Sequence, residues 1–78
     1  MGNSGNLREI GARIQRLREE RGSTQSAFAR KIGTTQSALS RIEAGEQNVS
    51  ANLLEKIGAA LGRSVIAISG ETINLEIR

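Results

Sequence analysis

Apolar residues recur at steps of three and four along the first part of the chain, and such steps place them on one face of an α-helix. The residues of this face are Leu7, Ile10, Ile14 and Leu17. The opposite face is charged, Asn6 stands where an N-cap is expected, and Gly22 stands where a helix would end. We therefore expect a first helix over residues 7–21, preceded by a disordered polar tail of residues 1–6.

The next stretch predicts two short helices separated by a turn. The first is expected to run to about residue 31 and the second over about residues 36–44, each followed by a glycine. A four-residue break that contains Gly33 is the spacing of a helix-turn-helix. A hydroxyl side chain precedes each helix and can accept a hydrogen bond from its first turn. These candidate caps are Ser23 or Thr24 and Thr34 or Thr35.

A fourth helix is expected from Ser50, as its cap, to a stop at Gly62. Its inward-facing residues are expected to be Leu53, Leu54, Ile57 and Leu61. These elements divide the chain into the tail, a helical domain over residues 7–62 and a C-terminal segment over residues 63–78. The fold class is therefore mainly α.

The C-terminal segment changes its period and predicts a β-hairpin with a two-residue turn at Gly70-Glu71. In this register the large aliphatic residues share one side of the hairpin. They are Ile66, Ile68, Ile73, Leu75 and Ile77. Because a lone hairpin is marginal in water, this side must be covered. This side could pack on the helices of the same chain or on the hairpin of a second copy. We favour the second arrangement, which is a dimer.

Composition narrows the chemistry. The chain has no Cys, no His and no Asp, so disulfides are excluded and a zinc site would lack its preferred ligands. The same absences remove the commonest general base and the most reactive nucleophile. We expect that the protein is not an enzyme and that it binds no metal, no cofactor and no small-molecule substrate. A domain of 78 residues is also small enough for oligomerisation to help its stability.

Charge is distributed unevenly. Residues 1–45 contain eight Lys or Arg and four Glu, a net charge of +4, whereas residues 46–78 have a net charge of −1. A basic half is typical of a nucleic-acid-binding surface, with an anionic membrane surface as the alternative. No apolar run approaches the roughly 20 residues of a membrane span, and the N-terminus does not have the pattern of a signal peptide. We expect a cytoplasmic protein that makes no membrane contact.

The segments TQSAFARKIG, from Thr24 to Gly33, and TTQSALSRIEAG, from Thr34 to Gly45, closely resemble the Cro/repressor-type (Xre-like) helix-turn-helix family of bacterial and phage DNA-binding transcriptional regulators. The resemblance covers roughly residues 8–62. It implies a four-helix lambda-repressor-like domain, to which the C-terminal β-hairpin is added. The hairpin has a looser likeness to family members with C-terminal strands, antitoxins among them.

The resemblance also implies which residues contact DNA. The base-reading residues would be Thr35, Gln36, Ser37, Ser40 and Arg41, and the phosphate contacts would be Thr24, Gln25 and Asn48. Arg18 and Glu43 would form a structural ion pair between the first and third helices. Arg13, Arg16, Arg30 and Lys31 would add positive charge without fixed geometry. The alternative for these polar residues is ordinary solvated surface.

The expected function is a sequence-specific transcriptional regulator, a repressor in the first instance, that binds a pseudo-palindromic operator in double-stranded DNA as a homodimer. One alternative is an antitoxin that binds a toxin partner and represses its own operon. The other is a protein-interaction module that does not bind DNA.

Overall fold

The computed structural model describes residues 3–63, with side chains described from Leu7 onward. Four helices follow one another: α1 (Asn3–Glu20), α2 (Gln25–Lys31), α3 (Gln36–Glu43) and α4 (Ala51–Leu61). The mainly α class and the order of the four predicted helices are confirmed. No strand occurs within residues 3–63. The hairpin residues Ile66, Ile68, Ile73, Leu75 and Ile77 lie outside the described part of the chain.

Helix α1 begins earlier than its apolar pattern predicts. It starts at Asn3, so Asn6 lies inside the helix instead of capping it, and residues 3–6 are helical where a disordered tail was expected. The physical reason is cooperativity: once the apolar face has fixed the first turns, each further residue adds a backbone hydrogen bond at small cost. The predicted start was wrong because it placed the N-cap at Asn6, directly before the first apolar residue of the face.

Hydroxyl caps set the starts of the other three helices. Thr24 Oγ1 accepts a hydrogen bond from Ala27 N, and Thr35 Oγ1 accepts one from Ala38 N, both at 3.1 Å. Ser50 Oγ accepts the corresponding bond from the first turn of α4, also at 3.1 Å. Of the alternative caps, the structure therefore uses Thr24 and Thr35. This fixes where α3 begins and which of its residues face outward.

The core is formed by the inward faces of all four helices. Its members are Ile14, Leu17, Phe28, Ala29, Ile32, Leu39, Ile42, Leu54, Ile57 and Leu61. Ala29 is only 1% exposed, and its small size lets α2 and α3 cross closely. Leu53, which was expected to face inward, is half-buried and packs against the core. Helix α3 contributes Leu39 and Ile42 to this core, and its opposite side is exposed.

Helix α1 approaches the end of α3 so closely that only glycine fits at position 11. A Cβ on Gly11 would lie 2.6 Å from the carbonyl oxygen of Glu43 and closer still to that of Ile42. Gly45 stands next to the same junction with a φ of +77°, and a Cβ there would lie 2.7 Å from Arg8 Cα. The C-terminal end of α3 is therefore fixed against the backbone of α1.

Candidate nucleic-acid interface

Arg18 and Glu43 form a buried ion pair between α1 and α3. Arg18 Nε donates to Glu43 Oε2 at 2.7 Å, and Nη2 donates to Oε1 at 3.0 Å. The side chains are almost wholly buried, with the residues 7% and 6% exposed. The hydrogen bond to Glu43 raises the pKa of Arg18 above its ordinary value, against the opposing effect of burial, and the negative charges of Glu43 and Glu19 raise it further.

The third donor of Arg18 extends the contact to the start of α2. Nη1 donates to the carbonyl oxygen of Ser23 at 2.7 Å. One guanidinium thus joins α1, α3 and the residue before the cap of α2. Both partners of a buried pair with two parallel hydrogen bonds are held in a defined geometry. The pair that the resemblance implied is brought together and orients α3 relative to α2.

Two glutamines continue this contact toward the surface. Gln25 Nε2 donates to Glu43 Oε1 at 2.9 Å, which turns the Gln25 carbonyl oxygen away from the carboxylate. That oxygen accepts a hydrogen bond from Gln36 Nε2 at 3.5 Å. Gln25 is half-buried and Gln36 is exposed. Because each Nε2 carries two hydrogens, both amides retain a donor, and Gln36 also retains its carbonyl oxygen as an acceptor.

The side of α3 that faces away from the core carries all the residues assigned to base reading. Thr35, Gln36, Ser37, Ser40 and Arg41 are all exposed. The oxygen of Thr35 accepts the capping hydrogen bond of α3, so the hydroxyl retains its O–H as a donor and one lone pair as an acceptor. Arg41 lies on the last turn of α3 and Gln36 on its first, so the two side chains are separated along the helix.

The residues assigned to phosphate contact lie at two places. Thr24 and Gln25 stand at the start of α2, where the Thr24 oxygen accepts the capping hydrogen bond. Asn48 is exposed in the loop between α3 and α4, and no hydrogen bond joins it to Thr24 or Gln25 within the described structure. Among the basic residues, Arg30 and Lys31 are exposed, Arg13 is half-buried, and Arg16 lies 4.0 Å from Glu20 in a surface ion pair.

Gln47 contacts Arg41 beside the exposed side of α3, and sequence reasoning missed this contact. Arg41 Nε donates to Gln47 Oε1 at 2.9 Å. The sequence held a partial signal, because a glycine after a helix predicts that the chain turns back toward the last turn. That signal does not specify which side chain of the following loop meets the arginine.

Other kinds of site are not found in the described residues. Within residues 3–63 no group of three or more potential ligand side chains could hold a metal ion, and no cavity is present. No helix in this part of the chain is both long and apolar enough to cross a membrane. Helix α2, the turn and α3 form a helix-turn-helix, in which the second helix presents its outer side. That side of α3 carries exposed polar side chains that can donate and accept hydrogen bonds.

Comparisons with known proteins agree with this architecture. The helix-turn-helix family model matches residues 14–68. The immunity repressor protein of Bacillus phage phi105 is 42% identical over 62 residues, which are 80% of this chain and 43% of that protein. Antitoxin PezA of Streptococcus pneumoniae is 39% identical over 62 residues, 80% of this chain and 39% of that protein. The chain thus spans about two fifths of the length of each.

Two solved structures are similar to the fold. The regulator SinR in complex with DNA is 43% identical, has a TM-score of 0.72, and matches over 76% of this chain and 95% of that one. The restriction-modification controller protein C.AhdI from Aeromonas hydrophila is 28% identical with a TM-score of 0.78, over 82% and 97% of the two chains. The chain belongs to the helix-turn-helix family.

Proposed function

We propose that this protein binds double-stranded DNA sequence-specifically and acts as a transcriptional repressor. The observation that carries the proposal is the set of hydrogen bonds that holds Gln36, through Gln25, to the buried Glu43 while leaving Gln36 exposed. Two relatives support it: an immunity repressor is 42% identical, and SinR, whose structure includes DNA, is 43% identical.

In this proposal the exposed side of α3 enters the major groove. Gln36 offers one donor and one acceptor, the pair that matches adenine N7 and N6, and Arg41 offers the paired donors that match guanine O6 and N7. Thr35, Ser37 and Ser40 add shorter polar contacts. The base-reading role of these five residues stays a prediction.

Phosphate contacts would position the duplex without reading its sequence. At the start of α2 the donors are the second hydrogen of Gln25 Nε2 and the O–H of Thr24. Asn48, in the loop after α3, would contact the DNA backbone at a second place. Arg30 and Lys31, both exposed, would add positive charge. These residues are expected to affect the affinity for all sequences alike.

The proposed assembly is a homodimer on a pseudo-palindromic operator. Two recognition helices related by a two-fold axis reach successive major grooves about 34–36 Å apart. The hairpin predicted for the segment after residue 63, with its aliphatic side, is the proposed dimerisation element. As a DNA-binding regulator the protein is proposed to act in the cytoplasm and to have no enzymatic activity.

The decisive experiment is a selection of bound sites from random DNA with the wild-type chain and with Gln36→Ala and Arg41→Ala. We expect the wild type to enrich a two-fold symmetric site, and each variant to lose about 1–3 kcal/mol of discrimination at one base pair per half-site. Gln15→Ala is the matched control, because Gln15 makes one exposed hydrogen bond on α1, to Glu19 at 3.2 Å.

An unchanged site preference in both variants would show that the outer side of α3 does not read bases. If the wild type enriched no site even at low salt, the chain would instead be a protein-interaction module. Measuring affinity against salt gives an independent reading, since phosphate contacts predict a linear and steep fall of log K with log salt concentration.

A second candidate function is that of an antitoxin, which the 39% identity to antitoxin PezA favours. The same DNA-binding surface would then repress the operon that encodes the pair. A toxin-like reading frame beside the gene, whose product co-purifies with this chain and is inhibited by it, would establish this function. If the two proteins formed a stable complex in which the toxin-like protein was not inhibited, the antitoxin function would be ruled out and only the repressor function would remain.

A further inference from the structure

Two hydrogen bonds connect Arg41 to the loop that follows its helix. Arg41 Nε donates to Gln47 Oε1 at 2.9 Å, and the carbonyl oxygen of Arg41 accepts a hydrogen bond from Glu46 N at 2.9 Å. Gly45 N donates to the carbonyl oxygen of Ile42 at 3.0 Å. Together the two backbone bonds form the turn that reverses the chain after a helix. The reversal brings Gln47 back beside Arg41.

This loop packs against α1 at its start. Gly45, at its start, lies so near Arg8 Cα that a Cβ would be 2.7 Å away. Gln47 is half-buried, whereas Arg41 is exposed. The acceptor therefore belongs to a segment packed on α1, and the donor belongs to a long side chain that would otherwise sample many rotamers. A contact of this kind reduces the conformational entropy that the arginine side chain would lose on binding.

The bond also selects which donors of Arg41 remain. A guanidinium has five N–H groups in one plane and can meet a base edge through Nε and one Nη, or through both Nη groups. Gln47 occupies Nε, and no acceptor for the two Nη groups is found in the described part of the chain. The first mode would require this hydrogen bond to break, whereas the second mode leaves it intact.

We propose that Gln47 is a positioning residue that determines specificity: it holds Arg41 by Nε so that the two Nη groups face the guanine O6 and N7 of a major-groove base pair. The inference rests on the proposed function and adds a residue to it. Gln47 itself makes no base contact in this arrangement. Its effect therefore depends entirely on Arg41, and this dependence makes it testable.

The test measures binding of the selected site, and of the same site changed at the base pair that Arg41→Ala disturbs, for a set of variants. Gln47→Ala removes the acceptor, and Gln47→Met removes it while keeping the length of the side chain. Both are expected to reduce the preference for the selected base pair about two- to tenfold, with preferences elsewhere unchanged. Gln15→Ala, which also loses one exposed glutamine hydrogen bond, is expected to leave every preference unchanged.

The same substitutions in the Arg41→Ala background separate positioning from direct contact. We expect Gln47→Ala to have no further effect there, because the side chain that it positions is gone. An equal loss in both backgrounds would overturn the inference, since Gln47 would then contact DNA by itself. A uniform loss of affinity for all sites would also overturn it, because that result indicates a structural role.

The outcomes also separate this inference from the proposed function. If the wild type selects a site and Arg41→Ala alters it while both Gln47 variants do not, the inference fails and the function stands. If the wild type selects no site, or Arg41→Ala leaves the preference intact, the base-reading assignment fails and the inference fails with it. Helical circular dichroism and the midpoint of urea unfolding are measured for each variant to show that it is folded.

Discussion

Glu43 takes part both in the fold and in the candidate interface. Its carboxylate accepts two hydrogen bonds from Arg18 in the interior and one from Gln25 at the margin of the surface. A carboxylate that is 6% exposed needs these donors, because burial of an unpaired charge is costly. The geometry of Gln25 and Gln36 therefore depends on a charge that lies buried beneath them.

The first prediction concerns this pair. Arg18→Ala and Glu43→Ala are each expected to lower the free energy of unfolding by about 3–5 kcal/mol, because each leaves a buried charge without its partner. The double variant Arg18→Met, Glu43→Leu should lose less than either single variant, since no charge is then buried. Urea unfolding followed by circular dichroism measures all three.

Arg16→Ala is the matched control for the ion pair. Arg16 and Glu20 are 4.0 Å apart, and their side chains are 63% and 58% exposed. Such exposed pairs contribute about 0.5 kcal/mol or less. If Arg18→Ala cost no more than Arg16→Ala, burial would not govern the energetics of the Arg18–Glu43 pair.

At the scale of the elements, the position of α3 is set at both ends. Its start is fixed by the Thr35 cap, and its end is fixed by the close approach of α1 at Gly11. Helix α2 has 7 residues and α3 has 8, so neither would be stable in isolation. The packing that holds α3 therefore also keeps its exposed polar side in place.

The second prediction is that Gly11→Ala destabilises the fold although alanine is the better helix former. Helix propensity alone would add about 1 kcal/mol of stability. The new Cβ, however, would lie 2.6 Å from the carbonyl oxygen of Glu43, so α1 and α3 must separate. We expect a net loss of about 1–3 kcal/mol, measured by urea unfolding.

A matched control for this variant is available one position along the chain. Ala12 is exposed on α1, and Ala12→Gly is expected to cost about 1 kcal/mol through propensity alone. A stabilising effect of Gly11→Ala would contradict the close approach of the two helices. Because the proposed DNA contact uses the exposed side of α3, Gly11→Ala should also weaken binding to the selected site.

For the molecule as a whole, the aliphatic side predicted for the C-terminal segment needs a partner surface that covers it. A small domain without disulfides gains stability from association. A dimer would also place two recognition helices on one operator, which a single domain does not. Stability and specificity thus favour the same assembly.

The third prediction tests that assembly with Ile68→Glu. If the hairpin joins two copies, the charge should convert the dimer to a monomer in sedimentation equilibrium, with the helical circular dichroism retained. If the hairpin instead covers the helices of its own chain, the same variant should lose helical signal. Val65→Glu, on the opposite side of the predicted hairpin, is the control and should preserve both the mass and the helices.

How much was predictable differs between the fold and the site. The apolar steps and the glycine stops gave the number and order of the helices, because burial of one face is a local pattern. The start of α1 was missed, since helix propagation beyond the apolar face leaves no mark in that pattern. The contacts of Gly11 and Gln47 were missed as well. Gly11 approaches the backbone of Glu43, which is far away in sequence, and Gln47 meets Arg41 only because the loop turns back.

Periodicity, capping chemistry and motif resemblance along the chain were enough to predict four helices, the helix-turn-helix spacing and the polar residues that α3 exposes. They did not predict how those residues are held. The contacts of Glu43 with Gln25, of Gln25 with Gln36, and of Arg41 with Gln47 depend on the crossing of helices and the path of a loop. Distances between side chains of different elements are set by packing in three dimensions, and no local pattern along the chain encodes them.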